Sequence, residues 1–156
     1  MSNNNITLSK NKTLKMTNVL SYEIDPQKDS ISLIAKKMEN YIISKGALPI
    51  GPLIQKTILE TNENGKQELH VVFLRQANNF INNIDHPYRI ESVVRVQNCM
   101  YVRYNGPEDK FKLAYDKITV AAFEDDVKLS NETYTIFIDH SDNVILADVF
   151  VEKIDE

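Results

Sequence analysis

Residues 93–111 read VVRVQNCMYVRYNGPEDKF. Apolar and polar positions alternate through Tyr101-Val-Arg-Tyr104, the period of a half-buried strand. Asn105-Gly106-Pro107 then breaks the run, and Pro107 is suited to the first turn of a helix. Beyond it Phe111, Leu113, Ala114, Tyr115, Ile118, Ala121 and Ala122 recur at helical spacing. The stretch therefore predicts a strand over 89–104 that runs into an amphipathic helix. Two more strands are predicted, Thr133–Ile138 and Val144–Lys153, joined by the polar turn DHSDN.

The same order occurs earlier in the chain. Residues 14–24 look extended, and Asp25-Pro26 is a helix-start signal. Ile31, Leu33, Ile34, Ala35, Met38, Tyr41 and Ile42 follow, and Gly46 closes that helix. Beyond the punctuation Pro49-Ile50-Gly51-Pro52 come strand candidates Leu53–Glu60 and Gln67–Arg75, joined by TNENGK with its Asn64-Gly65 turn signal. Ile31–Met38 aligns with Phe111–Ile118. Val71–Arg75 aligns with Asp148–Glu152 at an offset about three residues smaller. The expected class is α+β: two βαββ repeats (14–76 and 89–154, linker 77–88) forming an antiparallel sheet. Both helices pack on one face of that sheet, with a ligand-type groove on the other. Residues 1–13 are expected to be a disordered N-terminus, with 14–156 a single domain.

Composition narrows the function. The 156 residues are 42% hydrophobic and 26% charged, with a net charge of -4. Nucleic acid is not expected as a partner, because phosphate binding needs clustered Lys and Arg. Nothing approaches the ~18 apolar residues of a membrane span, and MSNNNITLSKNK lacks an apolar signal core. A cytoplasmic protein, monomer or homodimer, is the expectation. The single cysteine, Cys99, makes no internal disulfide and is expected to be a buried small hydrophobe. His70, His86 and His140 lack metal-ligand spacing, so neither metal nor cofactor is expected. Ser92 and Ser130 have no base placed near them, and glycines occur only at turns.

The run 93–111 resembles the signature of the GyrI-like, or bacterial transcription-activator effector-binding, superfamily. There a valine-rich strand passes into Arg or His, then Gly-Pro, then an amphipathic helix. The ending IFIDHSDNVILADVFVEK, 136–153, resembles that superfamily's closing hairpin. The resemblance covers the chain from Leu14 onward. It implies paired strand-helix-strand-strand modules with a groove for small, often cationic or amphipathic molecules. Some members are fused to a DNA-binding helix-turn-helix, which the residues before Leu14 cannot supply. Others stand alone with a protein partner, and one branch hydrolyses small molecules. Asp148 falls where the superfamily has its pocket acid, usually Glu, and Phe137 where it often has Tyr.

Strand alternation places the same residues. Ile145, Ala147, Val149 and Val151 point to the helices, with Met100 and Val102. The open face then carries Tyr101, Arg103, Phe137, Asp148, Phe150, Phe73 and Arg75. A carboxylate among aromatics suits a cationic or hydrogen-bond-donating ligand. The candidate ligand-binding residues are Asp148, Phe150, Phe137, Tyr101, Arg103 and Phe73, with no catalytic residue. Three readings of that face stay open: Asp148 paired with Arg103 or Arg75 on a solvated sheet, a small-molecule pocket, or a protein-docking surface. The expected function is a stand-alone, non-enzymatic effector-binding module. The alternative is an accessory or adaptor protein of a toxin or secretion locus.

Overall fold

The computed structural model describes residues 5–154. In chain order these form β1 (Asn5–Glu23), α1 (Ile31–Ser44), β2 (Pro49–Thr61), β3 (Gln67–Ala77) and β4 (Arg89–Pro107). A 3₁₀ turn (Glu108–Lys110), α2 (Lys112–Glu124), β5 (Lys128–Ser141) and β6 (Val144–Ile154) follow. The class is α+β, and the pairings β1–β3, β2–β3, β4–β6 and β5–β6 are antiparallel. Among the described residues no helix is long and apolar enough to cross a membrane. The chain divides into two compact units, one of Lys15–Arg95 and one of the residues up to Leu14 together with Val96 onward.

In the Lys15–Arg95 unit, Ile34, Met38 and Ile42 recur every fourth residue and form the buried stripe of α1. They pack on Leu20, Ile24, Phe73 and Ala77, with Ile81 reaching in from beyond β3. Burying side chains of this size contributes about 1.5–3 kcal/mol each. Gly46 ends the helix: at φ +85° it lets its own N–H reach Ile43 O at 3.0 Å and that of Ala47 reach Ile42 O at 3.2 Å. The β2–β3 turn is tied by Asn62, whose Oδ1 accepts from the N–H groups of Asn64 and Lys66 at 2.9 and 3.0 Å. Gly65 sits there at φ +78°.

In the second unit the buried side of α2 is Ala114, Ile118, Ala121 and Ala122. It lies on Met100, Val102, Ala147, Val149 and Val151. The aligned helix positions Ile34, Met38 and Ile42 match Ala114, Ile118 and Ala122, all buried. The β5–β6 turn is only Asp142-Asn143, at φ 46° and 66°. Both are residue types that tolerate this region, and the turn suits the twist of a tight hairpin.

Several expectations are corrected. Asp25-Pro26 does not start α1. Asp25 closes a turn, its carbonyl accepting from Lys28 and Asp29 N–H at 3.0 and 2.8 Å, and the helix begins after Ser30. Pro107 is not the first helical residue. It is the last residue of β4, paired with Val144, and the 3₁₀ turn intervenes before α2. Of the expected disordered N-terminus, residues 1–4 lie outside the described residues. Asn5–Thr13 are strand, and Ile6 and Leu8 pack against the α2 core.

Phe73 is the largest correction. It is fully buried under α1, not on the open face. Arg75 also points to the helix, where its Nη1 meets Glu39 Oε2 at 2.8 Å. The alignment of Val71–Arg75 with Asp148–Glu152 is out by one residue, and a one-residue slip exchanges the faces of a strand. Phe73→Ala is therefore expected to lower the unfolding free energy by about 3–5 kcal/mol. Urea denaturation would measure it, and a loss below ~1 kcal/mol would contradict this placement.

Candidate functional site

Asp148 lies in the middle of β6 on the face away from α2. The β4–β6 register sets it beside Arg103 and sets Phe150 beside Tyr101. Tyr101 Oη donates to Asp148 Oδ1 at 2.8 Å. Arg103 Nε donates to the same oxygen at 2.8 Å and Nη2 to Oδ2 at 3.0 Å. The Tyr101 and Phe150 rings lie 4.8 Å apart, and Lys12 Nζ stands 5.7 Å from the Tyr101 ring centre. Burial, then the hydrogen bond to Asp148, pushes the Tyr101 hydroxyl up to about 12. Asp148 in turn holds the Arg103 guanidinium more firmly protonated than usual.

The pairing of Asp148 with Arg103 is the arrangement found. Tyr101, Arg103, Asp148 and Phe150 come together. Phe137 does not join them, and Phe73 belongs to the core of the other unit. Phe137 pairs with Ala147 and packs against the α2 core. The neighbouring Thr135 confirms the side, its hydroxyl lying 2.9 Å from that of Tyr115 on α2. The cause is a bulge between Phe137 and Asp139. Had Ile138 been paired with Ala147 rather than skipped, counting back from the turn would set Phe137 opposite Asp148. Tyr134 and Ile136, opposite Phe150 and Asp148, take the position instead. Sequence reading missed both, and only the bulge would have revealed them.

A second site was not foreseen. On the face of β1–β3–β2 away from α1 lies a cleft of about 360 Å³. Ile58, Val72 and Leu74 supply its apolar lining. Ser21, Glu23 and Lys56 share that face, and His86, Pro87, Arg89 and Glu91 also border it. The register explains the set, with Glu23 and Lys56 both opposite Val72 and Ser21 opposite Leu74. The preceding segment is fastened to α1: Tyr88 stacks on Tyr41 at 4.1 Å, and Tyr41 Oη donates to Asp85 Oδ2 at 2.9 Å. That bond, then Lys45, lowers the Asp85 pKa.

Glu23 also accepts from His70 Nδ1 at 3.1 Å, while Nε2 faces Glu60 at 3.4 Å and Glu68 at 3.7 Å. The bond to Glu23 raises the His70 pKa above its ordinary value, helped by the charges of Glu23, Glu60 and Glu68. Among the described residues no group of His, Cys, Asp and Glu could hold a metal ion. Cys99 is fully buried, and burial pushes its thiol up to about 11.

Asp148→Asn keeps the shape but removes the charge that Arg103 answers. Arg103 is half exposed, so the expected loss is modest, about 1–2 kcal/mol of unfolding free energy. Arg103→Met should cost a similar amount. The double variant should cost less than the sum, and strict additivity in denaturation would disprove the coupling.

No protein-family model matches this chain, and no curated protein matches it. Solved structures do. The crystal structure of the EcmrR C-terminal domain aligns with 97% of this chain and 99% of its own, at 19% identity and TM-score 0.65. EcmrR in a cryo-EM structure of its DNA complex aligns at 18% identity and TM-score 0.66, over 97% of this chain. This chain spans 58% of that longer one. The likeness is one of fold, the fold that the EcmrR C-terminal domain shares with this chain.

Proposed function

We propose that this chain is a small-molecule-binding module of the effector-binding type, acting by binding and not by turnover. One observation carries the reading: the cleft of about 360 Å³ on the sheet face away from α1. Its volume is at the small end of the ~300–1,000 Å³ usual for ligand sites. Ile58, Val72 and Leu74 offer an apolar surface, while Glu23 and Glu91 bring negative charge and Lys56 and Arg89 positive charge. This mixture suits a compact amphipathic molecule whose cationic group meets a carboxylate. The element order and the matched helix positions support reading the fold as two βαββ repeats.

Asp148 remains a ligand-binding candidate of a particular kind. Its oxygens are occupied by Tyr101 and Arg103, so a ligand would have to displace Arg103 or stack on Tyr101 and Phe150. A second reading, an adaptor that binds a protein, is favoured by large apolar side chains in water. Leu59 and Leu69 are both exposed and directly opposed across β2–β3.

A panel of amphipathic amines and quaternary cations should contain members that raise the melting temperature. A ligand at 100 times its Kd stabilises by about 2.7 kcal/mol. Val72→Trp, which fills the cleft, should abolish the rise. A panel without any shift, or shifts that survive Val72→Trp, would refute binding in this cleft.

The His70 cluster gives a pH signature. Its folded pKa lies above the ~6.5 of a free imidazole. The stabilisation is therefore complete below about pH 6.5 and is lost as pH rises through the folded value. An NMR titration should place His70 above the unfolded value, and Glu23→Gln should move it back down. An unchanged titration in Glu23→Gln would contradict the assigned cause.

A further inference from the structure

Glu23 belongs to two surroundings at once. It lines the cleft beside Lys56 and Val72, and it also borders a shallower depression with His70, Asp25 and Asp29. Strand parity arranges this. His70 and Val72 share one face of β3, with Ile58 opposite His70 and both Glu23 and Lys56 opposite Val72. His70 is therefore the next side chain along from the cleft, and its Nδ1 lies 3.1 Å from Glu23 Oε2. The other ring nitrogen, Nε2, is shielded from solvent and makes no hydrogen bond. It faces Glu60 Oε2 at 3.4 Å and Glu68 Oε2 at 3.7 Å. In a neutral ring that carries its proton on Nδ1, Nε2 turns a lone pair toward two carboxylates. A second proton replaces that repulsion with attraction and sets one positive charge among three negative ones. The groups around the ring are Glu23 from β1, Asp25 and Asp29 from the turn after it, Glu60 from β2 and Glu68 from β3 itself. Lys56, beside Ile58 on the same face of β2, is the only lysine or arginine among these groups.

We propose, building on the cleft as a site for an amphipathic cation, that His70 sets the charge which Glu23 offers to the ligand: the cleft takes the cation while His70 is neutral and releases it as His70 gains its proton. Protonated, the ring forms an ion pair with Glu23 and cancels the field of that carboxylate in the cleft. Deprotonated, it leaves Glu23 hydrogen-bonded but uncompensated, as the second carboxylate of the lining beside Glu91. The coupling is reciprocal. A cation that prefers the deprotonated form lowers the proton affinity of His70 by the same factor. The hydrogen bond to Glu23 is the main reason that the His70 pKa lies above its ordinary value, so in the empty protein the exchange falls above the ~6.5 of a free imidazole.

Benzyltrimethylammonium carries a fixed charge at every pH, so its affinity reports only the titration of the protein. Calorimetric titrations from about pH 5.5 to about pH 9 keep the carboxylates ionised and the lysines protonated. The affinity should rise about fivefold with pH, at the low end of ordinary couplings because Glu23 is largely exposed and screened. With benzyltrimethylammonium saturating, the His70 ring signals in NMR should titrate at lower pH than in the empty protein. His70→Gln should lose most of the affinity ratio between the two ends of the range. His86 also borders the cleft, and in His86→Gln that ratio should persist whatever the affinity itself. An affinity indifferent to pH, a ratio undiminished in His70→Gln, or a ratio lost in His86→Gln would overturn the inference and leave the cleft reading standing. No binding at any pH, or binding that survives Val72→Trp, would overturn the cleft reading and the inference with it.

Discussion

The buried side of each helix fixes which side of every strand is which. In the second unit Ala114, Ile118 and Ala122 sit on Val102, Ala147 and Val149. Alternation then leaves Tyr101, Arg103, Asp148 and Phe150 no choice of face. In the Lys15–Arg95 unit Met38 and Ile42 claim Phe73 and Leu20 in the same way, and Ser21, Glu23, Val72 and Leu74 are sent to the cleft side. The polar chemistry of both sites is what remains after the helices have taken their apolar residues.

Much of this was legible. The periods of 3.6 and 2 gave both helices and the six strands, and Asn64-Gly65 marked a turn. The face of β6 was readable because four alternating apolar residues left one parity for Asp148. What failed did so for local reasons. Asp25-Pro26 carries a helix-start signal, but the Asp25 carbonyl and carboxylate form a turn before the helix. Pro107 fits a helix start, yet it also fits the end of an edge pairing with Val144. Phe73 and Phe137 were lost to parity: an alignment slipped by one residue and a bulge inserted one. The cleft could not be read, because its lining comes from β1, β2, β3 and the segment after them, and only register joins these.

The two sites handle charge in opposite ways. At Asp148 three donors converge on one carboxylate, and the result is an internally satisfied pair that orients Tyr101. At the cleft, charges of both signs are spread along an apolar surface, and one of its carboxylates, Glu23, is shared with His70. The first arrangement favours rigidity. The second ties one of its carboxylates to a ring whose pKa is raised above the ordinary imidazole value.

The bulge at Ile138 has a meaning beyond geometry. A substitution changes one side chain, whereas drawing a bulged residue into the ladder changes the face of those beyond it. Pairing Ile138 with Ala147 would close the bulge and carry Phe137 round beside Asp148, sending Thr135 with it and turning Tyr134 and Ile136 inward, whereas deleting Ile138 would leave Phe137 opposite Ala147. The lining of this sheet is thus set by one skipped residue as much as by the side chains that β5 carries.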